Sequence, residues 1–403
     1  MTEIDINRAH RLPTIKNKDG LLKIAVIGGN GFLGRHFITE LATTYSNLDI
    51  YSLDAHHLKN PIYIDTEGFK STVNQITMPV HIPSVIRTWL WTKQPDIIVY
   101  AAGRAGPPNG LNRPENIALD MEALVGLNRT LEALSDIKPG YFMYISSYAV
   151  YGNHGKKPIT EDSNLKPNNH VGQIRVTAEQ IVQEYCRQFE IKHSIIRPSE
   201  IFGRHHRHEL MDDMKWTGYV SFYVDSVVEA IEQLNREENS LPTLKSKSSV
   251  IRHGFSQKTN IDFVHVDYVC KVMTDLCVNR TEGTYNVSSN TASTIGSVLD
   301  LVLESLNEHP NLPYEGFQNK QLPYDKRSIT KISNSVVVSQ PCHQIVPYDQ
   351  EKYDLRNFLD NYLPIRIVEM KQRRDYEEAV ARSQILDTTG VYKGRNDKLQ
   401  ENK

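Results

Sequence analysis

Lys23-Ile-Ala-Val-Ile-Gly-Gly-Asn-Gly-Phe-Leu-Gly-Arg-His-Phe37 decides the fold. Lys23 to Gly28 is short, rich in β-branched residues and apolar on both faces, the pattern of a strand buried inside a parallel sheet. A glycine-rich turn follows, Gly28-Gly-Asn-Gly31-Phe-Leu-Gly34. Phe32 to Thr43 then places Phe32, Leu33, Phe37, Ile38 and Leu41 at helical spacing. Strand, turn and helix in this order aim free helix N–H groups at a phosphate. Glycine serves a tight turn, close approach of the backbone to a pyrophosphate, and packing of helix on strand. The expected contacts to a dinucleotide are Gly28, Asn30, Gly31, Phe32, Leu33 and Gly34. Asp54 closes the next strand candidate, Leu48 to Leu53, twenty residues after Gly34. A carboxylate there accepts hydrogen bonds from ribose hydroxyls and repels a 2′-phosphate, so NAD is expected rather than NADP.

Outward from this unit, apolar runs recur at Asp96 to Ala101, Tyr141 to Ser146 and His193 to Ile196. Helical patterns lie between them at Ser84 to Thr92, Asp120 to Leu134 and Gly172 to Phe189. Alternating strands and helices predict an α/β protein with a doubly wound parallel sheet and a smaller C-terminal α/β substrate domain. The expected division is an extension over 1–20, a cofactor-binding Rossmann domain over 21–203, and mainly the substrate domain over 204–365. Residues 262–280 are expected to return to the first domain. In the second, helices are expected at Val224 to Leu234, Ser293 to Leu306 and Lys352 to Leu363, and strands at Ile261 to Val266 and Gly283 to Val287. A charged tail, 366–403, begins with a helix at Glu369 to Arg382.

The chain has 403 residues, 39% of them hydrophobic, and a formal net charge of −2. It can bury a sizeable core, and it lacks the basic balance of a nucleic-acid binder. Cys186, Cys270, Cys277 and Cys342 form no CxxC pair, so reduced thiols in a cytoplasmic protein are expected. The polar N-terminus has no signal-peptide core, and no apolar run reaches the ~18 residues of a membrane span. Neither a membrane nor a nucleic acid is an expected partner. Arg204-His-His-Arg-His208 holds three histidines, but the two arginines repel a cation; a polar loop at the substrate cleft is expected, and no metal site.

Five segments in order give the chain a resemblance to the extended short-chain dehydrogenases/reductases, the NAD-dependent epimerase/dehydratase group that acts mainly on nucleotide sugars. They are the GxxGxxG turn, Ile97 to Gly103 (IIVYAAG), Ile145 to Gly152 (ISSYAVYG), Ile196 to Gly203 (IRPSEIFG) and Ile261 to Asp267 (IDFVHVD). The resemblance implies cofactor contacts from Ala101, Ala102, Gly103 and Pro198. It implies that Ser147 hydrogen-bonds the substrate and that members dimerise through helices matching Asp120 to Leu134 and Gly172 to Phe189. It also implies a Tyr-x-x-x-Lys pair on one helix face, where the lysine lowers the tyrosine pKa and holds the cofactor ribose.

Here the chain departs from the pattern. Val171 stands at the tyrosine position and Arg175 at the lysine position. Valine carries no proton, whereas arginine still donates hydrogen bonds to a ribose. His170, Tyr148 and Tyr151 are the neighbouring groups able to move a proton. Ile261 replaces the arginine that grips a diphosphate, with Lys258 or Arg252 as substitutes; an isoleucine facing the pocket suits a less charged substrate, or none. Ala123 stands where many members place an asparagine. Two readings follow: an NAD-dependent epimerase, dehydratase or dehydrogenase with a non-standard active site, or an inactive NAD-binding regulator or scaffold.

Overall fold

The computed structural model describes residues 21–55, 70–103, 114–154, 157–204, 220–229 except 222, 258–308 and 340–372 except 369. Its strands are β1 (Leu22–Ile27), β2 (Leu48–Asp54), β3 (Thr72–Thr77), β4 (Ile97–Tyr100), β5 (Tyr141–Ile145), β6 (His193–Pro198), β7 (Glu200–Phe202), β8 (Asn260–His265), β9 (Gly283–Val287) and β10 (Ala292–Thr294). Seven form one sheet in the order β3-β2-β1-β4-β5-β6-β9, and every pairing in it is parallel. The order reverses beside β1, which is where a doubly wound sheet opens a crevice for ligands.

Alternation along each strand fills both faces. Ile24 and Val26 of β1 join Ile50, Val99 and Met143 under α1 (Phe32–Thr44) and, later in the chain, a helix at Val266–Asn279. Ala25 and Ile27 join Ile98, Phe142 and Ile195 on the other face. That face is covered by α2 (Pro83–Lys93), α3 (Pro114–Glu132), α4 (Leu134–Ile137) and α5 (His170–Gln188). A second sheet, β10-β8-β7, packs with α6 (223–229) against a third core. The remaining helices are α7 (Val266–Asn279), α8 (Ile295–Glu308), α9 (Gln340–Ile345) and α10 (355–368). The third core contains Val224, Val227, Phe263, Leu299, Val302 and Leu363. The fold is thus the doubly wound sheet with a smaller α/β assembly that the periodicity predicts.

Three elements differ from the sequence reading. β3 reads Thr-Val-Asn-Gln-Ile-Thr and has no apolar run, because it is a half-exposed edge strand. The expected helix at Ser293 begins instead at Ile295. Ala292–Thr294 pairs antiparallel with β8, and Thr294 Oγ1 accepts the Ser297 N–H at 3.0 Å, capping the helix. The helix expected over Lys352 to Leu363 starts at 355 and runs past Arg366, which pairs with Asp225 at 2.7 Å, while Met370 is buried in the third core. Arg366 and Met370 therefore belong to packed structure. Residues 1–20 and 373–403 lie outside the described residues, as does most of the expected 369–382 helix.

Asp262 on β8 ties the two sheets together. Its carboxylate accepts Ser199 Oγ at 2.6 Å, the N–H groups of Ser289 and Thr291 at 2.9 and 3.0 Å, and Ser289 Oγ at 3.2 Å. Burial still dominates and pushes its pKa up to about 6, against the pull of those donors. The folded chain holds this proton more tightly than the unfolded chain. The stability linked to it is complete below the unfolded value of about 3.9 and is lost as pH rises through about 6. Denaturant titrations of wild type and Asp262→Asn should show it: wild-type stability relative to the variant falls between about pH 4 and pH 7. A difference that stays flat over that range contradicts the linkage.

Candidate active site

The glycine turn follows from contacts that leave no room for a side chain. Gly28 has φ +84°, and a Cβ on it would lie 2.5 Å from Ala102 N, so the turns after β1 and β4 touch. A Cβ on Gly34 would lie 2.3 Å from the Gly28 carbonyl oxygen, which seats α1 directly on the turn. Gly31 caps α1 with no side-chain hydrogen bond, and the first turn holds no acidic residue. The N–H groups of Leu33 and Gly34 donate to no described residue, as a phosphate site requires. Asn30 N–H donates to Asp54 Oδ2 at 3.2 Å, and Ser52 Oγ donates to Asn30 Oδ1 at 2.9 Å. The structure thus brings Gly28, Asn30, Gly31, Phe32, Leu33, Gly34, Asp54, Ala101, Ala102 and Gly103 to the carboxyl ends of the adjacent strands β1, β2 and β4, with Gly28 against Ala102 and Asn30 on Asp54. Pro198 ends β6, three strands from β1.

Ser147 follows β5 and caps the short turn Tyr148–Tyr151. Its Oγ accepts the Ala149 N–H at 3.2 Å, and its own proton has no acceptor among the described residues. Ser146 beside it is buried and donates to Glu179 Oε1 at 2.5 Å. The first turn of α5 abuts this segment, since a Cβ on Gly172 would lie 2.3 Å from the Ala149 carbonyl oxygen. Arg175 donates from Nη1 to Tyr144 Oη at 3.0 Å and to the Ile145 carbonyl at 3.1 Å. Its Nη2 lies 2.3 Å from where a Cβ on Gly103 would stand, so the guanidinium rests on the turn after β4. Val171, Arg175, Gly103, Asp120, Tyr100 and Tyr144 line a cleft between α3 and α5 with room for about one water molecule. His170 Nε2 lies 3.1 Å from Asp120 Oδ2 on α3.

A family model described as the NAD dependent epimerase/dehydratase family matches residues 24–288. The chain belongs to the NAD-dependent epimerase/dehydratase family. It is 26% identical over 182 residues to a UDP-glucose 4-epimerase of Lactobacillus helveticus, covering 45% of this chain and 52% of that protein. It is 26% identical over 187 residues to human dTDP-D-glucose 4,6-dehydratase, again covering 45% of this chain and 52% of the relative. The chain therefore spans about half the length of these two curated relatives. A putative UDP-glucose 4-epimerase of Methanocaldococcus jannaschii is 23% identical over 75% of this chain and 85% of its own. In fold, the chain resembles the UDP-glucose 4-epimerase of Thermus thermophilus solved with NAD. The TM-score is 0.63 at 17% identity, with 84% and 97% of the two chains covered.

Within this family the residues present fit NAD: the turn has the free N–H groups, the glycines and the acid that the dinucleotide needs. Other expectations need correction. Ile261 does not face a pocket; it is 1% exposed and packs in the third core with Phe263 and Val298. Tyr151 is unsuited to proton transfer, because it donates to Asn286 Oδ1 and accepts from Arg197 Nη1, both at 2.7 Å. Arg197 also grips Glu179 bidentately at 3.0 and 2.6 Å, so the motifs after β5 and β6 meet through a buried polar network on α5. Sequence reading missed this network; its only signal was a charged pair in otherwise apolar surroundings. Ala123 contributes its carbonyl to Tyr100 Oη at 2.7 Å. Arg252 and residues 205–208 lie outside the described residues. Among the described residues no cluster of three or more His, Cys, Asp or Glu side chains is placed to hold a metal, and no helix is long and apolar enough to cross a membrane. All four cysteines are free and buried.

Proposed function

We propose that the protein is an NAD-dependent enzyme of epimerase, dehydratase or dehydrogenase type acting on a sugar or sugar nucleotide. The carrying observation is the Ser147 hydroxyl, whose proton has no acceptor among the described residues, at the carboxyl end of β5 on the same sheet edge as the glycine turn. NAD held at that turn supplies the hydride acceptor or donor. The unit over 21–203 holds the cofactor, and that over mainly 204–365 holds the substrate. Ser147 donates to the substrate oxygen that changes oxidation state. Arg175 donates to the cofactor ribose from the nitrogens not committed to Tyr144 and Ile145. Val171 carries no proton, so proton transfer falls to the His170–Asp120 pair beside it. A cytoplasmic homodimer through α3 and α5 is part of the same proposal; Met121 and Val125 form an exposed apolar stripe on α3.

The names of the relatives make UDP-glucose and dTDP-glucose the first probes. Incubated with NAD, the wild type should convert at least one of them to the 4-epimer or the 4-keto-6-deoxy product, and Ser147→Ala should abolish the conversion. Tight NAD binding with no product from either sugar nucleotide would sink this reading. Arg175→Met should weaken NAD about tenfold or more in an equilibrium titration, because a charge-assisted hydrogen bond is lost. Unchanged affinity would remove Arg175 from the cofactor site.

A further inference from the structure

A neutral imidazole donates from one ring nitrogen and accepts at the other, whereas an imidazolium donates from both. Two histidines near the start of α1 face partners that assign these protons. His265 Nδ1 accepts the Asp267 N–H at 3.2 Å, and the carboxylate of Asp267 is farther off, at 3.7 Å. That ring is neutral, and burial pulls its pKa down. His36 differs. Its Nε2 lies 2.8 Å from the Arg204 carbonyl oxygen, and its Nδ1 lies 3.3 Å from Asp267 Oδ1. A carbonyl and a carboxylate only accept, so both contacts are favourable only when His36 carries two protons. The ring is buried one turn into α1, while the Asp267 carboxylate at the start of α7 is half exposed. This clasp adjoins the glycine turn. Phe32, the first residue of α1, meets the His36 ring edge-on at 5.0 Å, and a Cβ on Gly203 would lie 3.5 Å from the Phe32 ring. The chain leaving β7 through Gly203 and Arg204 is thereby held against the helix end that serves the pyrophosphate.

We propose that His36 is a positioning residue for the cofactor: as an imidazolium between the Arg204 carbonyl and Asp267 it fixes the chain after β7 against the first turn of α1, and NAD binds best to this clasped form. The assignment rests on NAD at the glycine turn and is independent of the sugar chemistry. Loss of one proton changes the contact. A neutral ring that keeps Nε2–H on Arg204 turns its Nδ1 lone pair toward the carboxylate, and one that keeps Nδ1–H on Asp267 turns a lone pair toward the carbonyl. Either way one side of the clasp opens. The other ionisable groups around the ring are Glu40, one turn further along α1, Lys271, one turn past Asp267 on α7, neutral His265 on β8, and Lys352 over the Tyr353 ring that stacks on His265. The two lysines and the two carboxylates offset one another. NAD affinity is therefore full where His36 holds both protons and falls as rising pH removes one.

Calorimetric titrations with NAD from about pH 6 to about pH 9 test this. Wild-type affinity should fall by about tenfold or more across that range, the worth of a charge-assisted hydrogen bond. His36→Phe keeps an aromatic ring against Phe32 and removes both contacts, so at the low end it should bind about tenfold more weakly than wild type and change little with pH. Asp267→Asn is the decisive variant. Its side-chain amide donates to a neutral ring whose Nε2–H still holds Arg204, so the clasp closes without the charge. It should match wild type at the low end and bind NAD about tenfold more tightly than wild type at the high end. A merely structural histidine would not produce that rescue. Asp267 is half exposed, so this variant reads the clasp even where His36→Phe folds poorly. A flat wild-type profile overturns the assignment, as does a wild-type slope that survives in His36→Phe. So does an Asp267→Asn variant as weak as wild type at the high end, or one that gains equally at both ends, which is only the loss of a negative charge near the phosphates. If the wild type binds no NAD at any pH, the cofactor reading of the turn fails and the assignment with it. NAD binding with any of the other failures removes the assignment alone.

Discussion

Glu179→Ala is expected to lower the folding stability of this protein by about 3–5 kcal/mol, enough to unfold much of a marginal population. Glu179 is 2% exposed and Arg197 5%. The two form a bidentate pair, and Glu179 also accepts the Ser146 hydroxyl. The whole network is inside the protein, so the loss is not the worth of one ion pair in water. Removing the carboxylate leaves a nearly buried guanidinium without its counter-charge, and it leaves Ser146 without its acceptor. Replacing both partners with apolar residues of similar size, Glu179→Leu with Arg197→Met, should recover part of that stability, because no uncompensated charge remains. The exposed pair Arg187–Glu184 at 2.6 Å is the control, and its removal should leave the denaturation curve in place. Urea titrations of the four proteins decide the point. A Glu179→Ala variant as stable as wild type would mean that the network is not closed in solution.

What the sequence reveals of the fold is what depends on local periodicity. β1, β4 and β5 are buried on both faces and therefore read as apolar runs, and α1 and α5 carry apolar stripes at helical spacing. β3 stays hidden because an edge strand with Thr72, Asn74 and Gln75 needs few apolar residues; its pairing with β2 is a tertiary fact. The β10–α8 junction stays hidden because Ala292-Ser-Thr is compatible with a helix start. Only the pairing of Ala292 with Asp262 and Thr294 with Asn260 makes it a strand. The end of α10 is misread from charge: Arg366 reads as the start of a solvated tail, but its guanidinium reaches Asp225, 141 residues away in sequence.

The site divides in the same way. The cofactor turn is legible because strand, glycines and helix are consecutive, and Asp54 arrives at a fixed distance. Family spacing also puts Val171 and Arg175 on the helix after Ser147, and that helix does abut the segment following β5, with Gly172 against Ala149 and Arg175 on the Ile145 carbonyl. Contacts that pair distant segments are not: Arg175 with Tyr144, His170 with Asp120 and Glu179 with Arg197 each span 18 residues or more. Ile261 illustrates the limit most plainly. Spacing places it where a substrate-binding arginine stands in relatives, yet an isoleucine has no reason to stay at a polar surface, and it turns into the apolar core.

Two glycines three residues apart should separate packing from ligand binding. Gly34→Ala is expected to weaken NAD by about 100-fold or more and to lower stability by about 1–3 kcal/mol. Its Cβ would stand 2.3 Å from the Gly28 carbonyl oxygen and 2.8 Å from Gly29 Cα, both backbone atoms that cannot rotate aside. α1 must lift away from the turn, and its N–H groups then lose their aim at the pyrophosphate. No conformational penalty enters, since residue 34 lies inside the helix; the effect is steric alone. Gly31→Ala differs. Its Cβ would meet only the Gly28 carbonyl oxygen at 3.2 Å, so the ligand-free protein accommodates it with a small shift. With NAD at this turn as proposed, that methyl stands where the dinucleotide backbone comes close. Gly31→Ala should therefore melt near wild type and still bind NAD poorly, whereas Gly34→Ala should lose on both counts. Calorimetric titration with NAD and thermal melts of the free proteins measure the two quantities independently. If Gly34→Ala binds NAD as wild type does, α1 is not the phosphate anchor. If Gly31→Ala binds normally, the pyrophosphate does not pass over this turn.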